Sequence, residues 1–230
     1  MDQGHALQAL QRLLKRLRSS RSDPELFAGL SHACRYCGLL KASIEAHLQA
    51  RRLDPNIRTS VTHTYFAIGD YQSASDSAAA DFGYFGPLRI AMLGRVQEAI
   101  AMLKEKEAAI PERRGQVFIM SLRALLEGDR ELSLQASDEL ITDGFQDPEG
   151  VYYLARQLAY LNDSGRANRL LSHTVEGGYF CYPQIASDPW LDPIRGDAEF
   201  KRILQTAQTL HQQAIDVFRA EGGPPLLGPV

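Results

Sequence analysis

Val151-Tyr152-Tyr153-Leu154-Ala155-Arg156-Gln157-Leu158-Ala159-Tyr160-Leu161-Asn162-Asp163-Ser164-Gly165-Arg166-Ala167 reads as a helix, a tight turn and the start of a second helix. Val151, Leu154, Ala155, Leu158 and Leu161 return to one face every three or four residues, the period of an amphipathic helix. Asn162 tolerates the left-handed backbone that a sharp helix end demands. Ala167 follows five residues later, where a second helix must pass close to the first.

Working outward, the same arrangement recurs. Gly38, Gly69, Gly94, Gly128 and Asn162 each follow an apolar helical segment, at intervals of 31, 25, 34 and 34 residues. Five positions after each comes Ser43, Ala74, Ala99, Ser133 or Ala167, and every one is small. Two antiparallel helices on a short turn approach closely only where one of them presents such a side chain. Pro55 and Pro111 each stand 17 residues after a turn glycine, where the second helix should end. No segment alternates apolar and polar residues well enough to argue for a sheet, so the fold class is all-α.

Spacing and residue types together resemble the tetratricopeptide-repeat family, whose unit is a 34-residue helix-turn-helix. The first copy reads Phe27, Leu30, Ser31, Cys34, Gly38, Ser43, Ala50, Pro55; the second Val61, Tyr65, Gly69, Asp70, Tyr71, Ala74; the last Val151, Leu154, Ala155, Leu158, Asn162, Ala167, Leu171. The resemblance covers residues 24 to 178. It implies a right-handed superhelix of about five repeats over 23–178, with helical caps.

The third copy is nine residues short of 34, and Gly83, Gly86 and Pro87 fall in its first helix. A truncated helix starting near Pro87 is expected there. Phe82, Tyr84 and Phe85 then either plug the gap or form an exposed binding loop, and packing is the commoner role of aromatics.

At the ends, Leu7, Leu10, Leu14 and Leu17 line one side of a helix over residues 5–19, within an N-terminal segment 1–22 that forms a cap or an orphan half-repeat. Ser187-Asp188-Pro189-Trp190-Leu191-Asp192-Pro193-Ile194-Arg195-Gly196-Asp197-Ala198-Glu199-Phe200 resembles the segment that closes repeat arrays in bacterial signalling proteins. Its prolines predict short helices, with Trp190, Leu191, Ile194 and Phe200 covering the last repeat. Capping helices are expected over 179–220, the last from about 198, and a disordered tail over 221–230.

Composition narrows the function. The formal charge of −3 gives no global attraction to nucleic acid or to an anionic membrane. No apolar run approaches a membrane span and no secretory leader opens the chain, so a cytoplasmic location with reduced thiols is expected. Cys34-Arg35-Tyr36-Cys37 has no second C-x-x-C pair, and Cys181 stands alone; the cysteines read as structural, with no metal and no cofactor. The six histidines show no metal-ligand spacing, and no nucleophile elbow or phosphate-binding glycine loop occurs. The chain reads as no enzyme.

The resemblance implies a concave groove lined by the first helix of each repeat, with a protein or peptide held there. By register the groove residues are Glu25, His32, Arg35 and Tyr36; Thr59, His63 and Phe66; and Glu149, Tyr152, Arg156 and Tyr160. Chaperone-binding members hold a carboxylate with Lys and Asn; Ala28, His32 and Ser60 occupy those positions, so aromatic stacking with Arg35 or Arg156 is expected instead. The alternative is a regulatory segment acting within a larger bacterial kinase or cyclase.

Overall fold

The computed structural model describes residues 5–77 and 83–230, and Phe82 lies outside them. Among the described residues all regular structure is helical. The N-terminal helix α1 (Ala6–Leu17) is followed by α2 (Pro24–Tyr36) with α3 (Leu40–Leu53), α4 (Val61–Ile68) with α5 (Tyr71–Asp76), α6 (Phe85–Met92) with α7 (Val96–Ala109), α8 (Arg113–Glu127) with α9 (Arg130–Thr142), and α10 (Pro148–Tyr160) with α11 (Ser164–Glu176). Then come α12 (Tyr182–Ser187), a 3₁₀ turn (Pro189–Ile194), α13 (Ala198–Ala220) and α14 (Pro224–Leu227).

All five hairpins turn in the same way. Gly38, Gly69, Gly94, Gly128 and Asn162 have φ of 77°, 88°, 81°, 81° and 59°. At each, the turn residue's amide donates three residues back and the next amide five back, as in Gly38 N to Arg35 O (2.9 Å) and Leu39 N to Cys34 O (2.8 Å). This Schellman geometry satisfies carbonyls that a helix end otherwise leaves open. Asp70, Asp129 and Asp163 follow three of the turns, and each carboxylate accepts an amide of the next helix, which starts it at once.

The small residues sit where the paired helices cross: Ser43, Ala74, Ala99, Ser133 and Ala167 are each 0% exposed. At two crossings the side chain is used as well as its smallness. Ser43 Oγ donates to Ser31 O (2.5 Å) and Ser133 Oγ to Ser121 O (2.9 Å), so both buried hydroxyls are satisfied within their hairpin.

The array does not stay open. α1 packs on α2 and on α13, and α13 also meets α11 and α12. Gln11 Nε2 and Arg18 Nη2 each donate to the Glu221 carboxylate at 2.9 Å, His211 Nδ1 lies 2.8 Å from Cys37 O, and Phe180 N donates to Tyr36 O at 3.1 Å. One hydrophobic core runs from Ala6 to Leu227 through all of these elements. Leu10, Leu14 and Leu17 are fully buried in it, as are Leu191, Ile194 and Phe200 nearly so.

One expectation changes. The tail over 221–230, read as disordered, instead forms α14 against α3, with Leu227 only 2% exposed; one apolar side chain has found a seat that composition alone did not reveal. The shortened third hairpin has the truncated first helix expected near Pro87: it begins at Phe85, because a proline in the first helical turn gives up an amide that has no helical acceptor. Tyr84 is buried and stacks on Phe118 at 4.1 Å, so it packs.

The two turn glycines Gly38 and Gly69 should respond differently to alanine. Both have positive φ, which costs a side chain about 1–2 kcal/mol. A Cβ at Gly69 meets nothing within 4 Å, whereas one at Gly38 meets His211 Nδ1 and Pro183 Cδ at 2.8 Å. Urea midpoints should place Gly38→Ala well below Gly69→Ala; equal loss would show that the closing contact at Gly38 does not form.

Candidate binding site

The side chains assigned to an open groove are mostly inside the protein. Arg35, Tyr36, Tyr152 and Arg156 are at most 1% exposed, Phe66 3% and Glu149 6%. This corrects the expectation of an accessible furrow along these residues: the side chains of α2 and α10 reach each other through Arg35 and Glu149, and these positions are filled by the chain's own side chains.

Two buried ion pairs organise that interior. Arg35 on α2 pairs with Glu149 on α10, and the same Glu149 Oε1 accepts from Tyr153 OH at 3.2 Å and lies 3.1 Å from His63 Nδ1. Arg156 donates from Nε and Nη2 to Asp188 at 2.6 and 3.0 Å, and Tyr152 OH donates to Asp188 at 2.7 Å. The Arg156 guanidinium also lies 4.1 Å above Trp190. Burial alone would raise both carboxyls, but Arg35 and His63 hold Glu149 well below the usual carboxylate range, and Arg156 lowers Asp188.

Of the other nominated residues, Glu25 is exposed at the start of α2 and Tyr160 is 52% exposed beside Trp190 at 5.2 Å. His32, Thr59 and His63 do come together. They border a cavity of about 820 Å³ between α2, α4 and α6, floored by the end of α3 and by residues 56–60. His63 stacks on Phe85 at 3.8 Å, with 4° between the rings.

Much of this cavity's polar lining lies off the positions that repeat register nominates: His47, Arg51, Arg58, Asp76 and Arg89. His47 and Arg51 belong to a second helix and Arg58 to a connector, whereas the register argument reaches only first helices. Their four-residue spacing does place His47 and Arg51 on one face. His47 Nδ1 is 2.7 Å from Thr59 Oγ1, and burial first, then Arg51, lowers its pKa. Arg89 donates to Ala74 O at 2.6 Å and lies 5.4 Å above Phe85.

The cysteines lie elsewhere. Cys34, Cys37 and Cys181 are all 0% exposed, and burial pushes every thiol up, Cys181 to about 12. Little thiolate exists near neutrality, so these sulfurs are poor nucleophiles. Among the described residues no cluster of three or more His, Cys, Asp or Glu side chains suits a metal ion, and no helix is long and apolar enough to cross a membrane. No protein-family model matches the chain, and no curated protein matches it.

Two measurements check the interior. Arg35→Ala leaves Glu149 buried without its counter-ion and should cost about 3–5 kcal/mol, whereas Arg35→Met/Glu149→Leu should recover most of that loss in thermal unfolding. On acidification Glu149 and Asp188 keep their charge in the folded chain where the unfolded chain takes up protons. Their contribution is therefore complete above about pH 4 and is lost as the pH falls toward their lowered values. The melting temperature should fall steeply below about pH 4, and Glu149→Gln should flatten that limb. An unchanged acid limb would separate the pair from stability.

Proposed function

We propose that the chain is a non-catalytic interaction module of the tetratricopeptide kind, docking a segment of a partner protein in the cavity between α2, α4 and α6. The observation that carries this reading is the cavity itself. About 820 Å³ is room for several side chains, at a place where the first helices of three successive hairpins leave a space that the described residues do not fill. The five like turns and the small residues at the crossings support the family likeness, as does the closing segment seated on α10.

A binding role fits the lining better than a reaction. The nearest approach to a base and a nucleophile is His47 with Thr59, and no carboxylate among the described residues orients the imidazole, as such a pair requires. The apolar and aromatic contributions of Ala28, Ile57, Val61 and Phe85 offer contact area, and the polar groups around them offer orientation.

Selecting peptides from a random display library against the whole chain tests the reading. Ala28→Trp places an indole in the cavity from α2 and should weaken the selected peptides by about tenfold or more, the scale of one buried contact. Tyr160→Ala, outside the cavity, should leave them unchanged. Circular dichroism establishes that both variants fold. Peptides that bind Ala28→Trp as well as the wild type would place the docking surface elsewhere.

A further inference from the structure

His63 on α4 stands between the buried interior and the cavity. Its Nδ1 lies 3.1 Å from Glu149 Oε1 and 3.3 Å from Tyr153 OH, and its ring stacks on Phe85 at 3.8 Å. The side chain is 31% exposed and borders the cavity. The imidazole is thus held at one nitrogen and along one face, and it cannot turn over without losing its bond to Glu149.

Those contacts decide where the ring proton sits. Burial works against a charge on Glu149, but Arg35 beside it keeps the carboxyl ionised, and a carboxylate only accepts hydrogen bonds. Tyr153 OH donates to the same Glu149 oxygen, so toward His63 it offers only a lone pair. Both neighbours therefore require a proton on Nδ1. In the neutral ring Nε2 is then left without one, as an acceptor. Among the described residues the hydrogen bonds of His63 all run from Nδ1. Nε2 is not one of the polar atoms that are both shielded and unpartnered, so it is open to solvent, on a ring that lines the cavity.

The rest of the lining narrows what this lone pair meets. Arg51 and Arg58 border the same space; Asp76 is the carboxylate among the described lining residues, and its Oδ1 already accepts from Gln72 at 2.8 Å. Like charges disfavour a lysine or arginine of the docked segment there, while a carboxylate brings no proton. We infer that His63 Nε2 is the acceptor that selects the docked segment, taking a hydrogen bond from an uncharged N–H or O–H, an amide or a hydroxyl. This deepens the docking reading above and rests on it. A fixed acceptor rejects a ligand without the matching donor, because one polar group is left unpaired. Glu149 is a positioning residue in this arrangement, since it sets the tautomer and acts through the imidazole.

The test uses the full chain labelled with ¹⁵N. Long-range proton–nitrogen correlation of the histidine rings reads the tautomer, with the His63 signals assigned by their loss in His63→Phe. In mildly alkaline buffer they should show the proton on Nδ1; a proton on Nε2 would overturn the proposal. Library-selected peptides should bind His63→Phe about tenfold more weakly, because that variant keeps a ring against Phe85 and removes the acceptor. His63→Gln, whose amide oxygen can take the place of Nε2, should recover part of the loss. Circular dichroism establishes that both variants fold. Along the same peptides each amide N–H is replaced by N-methyl, and each side-chain donor by an isostere without one. One such change should cost the wild type about tenfold and His63→Phe little, as for two groups in direct contact; strictly additive losses would overturn the acceptor. Peptides weakened by Ala28→Trp but indifferent to His63→Phe would also overturn it and leave the docking reading standing. Peptides indifferent to Ala28→Trp would overturn the docking reading, whereas a proton on Nδ1 in the free chain would still support the acceptor.

Discussion

The buried pair of Arg35 and Glu149 joins helices 114 residues apart in sequence, and the arrangement of the interior follows from it. A row of hairpins that share one turn geometry has no intrinsic reason to close. Beside the pair, Tyr36 meets Tyr179, Tyr179 meets Tyr152 and Tyr152 meets Tyr153 in a row of ring contacts, and the inner face becomes core. Desolvating two charges costs several kcal/mol per ion, which their attraction repays only with good geometry and further hydrogen bonds. Glu149 has those bonds from Tyr153 and His63, and Asp188 has its equivalents from Tyr152 and the Trp190 amide at 2.9 Å. The Arg35–Glu149 pair thus links two hairpins and the Arg156–Asp188 pair ties the 3₁₀ segment to α10, while apolar burial supplies most of the driving force.

How much was legible in the sequence divides along the range of the interactions. A positive φ at Gly128 or Asn162, an aspartate cap after it and a small residue five positions on are settled within a few residues of chain, so spacing alone exposes them. Closure is settled by side chains more than a hundred positions apart, and register assigns Arg35 and Arg156 to an outer surface as readily as to an inner one. One local sign did exist. In α10 every residue from Pro148 to Ala159 is buried, and Val151-Tyr152-Tyr153-Leu154-Ala155 has no polar face to give to solvent, the mark of a helix enclosed on all sides. Reading it as half exposed was the error that made a furrow of the core.

The cavity was half legible for a similar reason. His32, Thr59 and His63 follow from the first-helix rule, whereas Arg51 and Arg58 reach the same space from the end of α3 and the connector beyond Pro55. The shortened third hairpin matters here as well, because Phe85 and Gly86 at the head of α6 border the space. The nine-residue deficit in one repeat interval thus falls at the edge of this cavity.

The chain's single tryptophan sits in the closing segment, 9% exposed, with the Arg156 guanidinium 4.1 Å over its ring and Tyr160 beside it. Its indole is therefore a native optical probe of that seat: a cation over the ring and near-complete shielding from water give an emission that changes when the segment lifts from α10. Release of the closing segment can be watched without a dye, a tag or an altered residue.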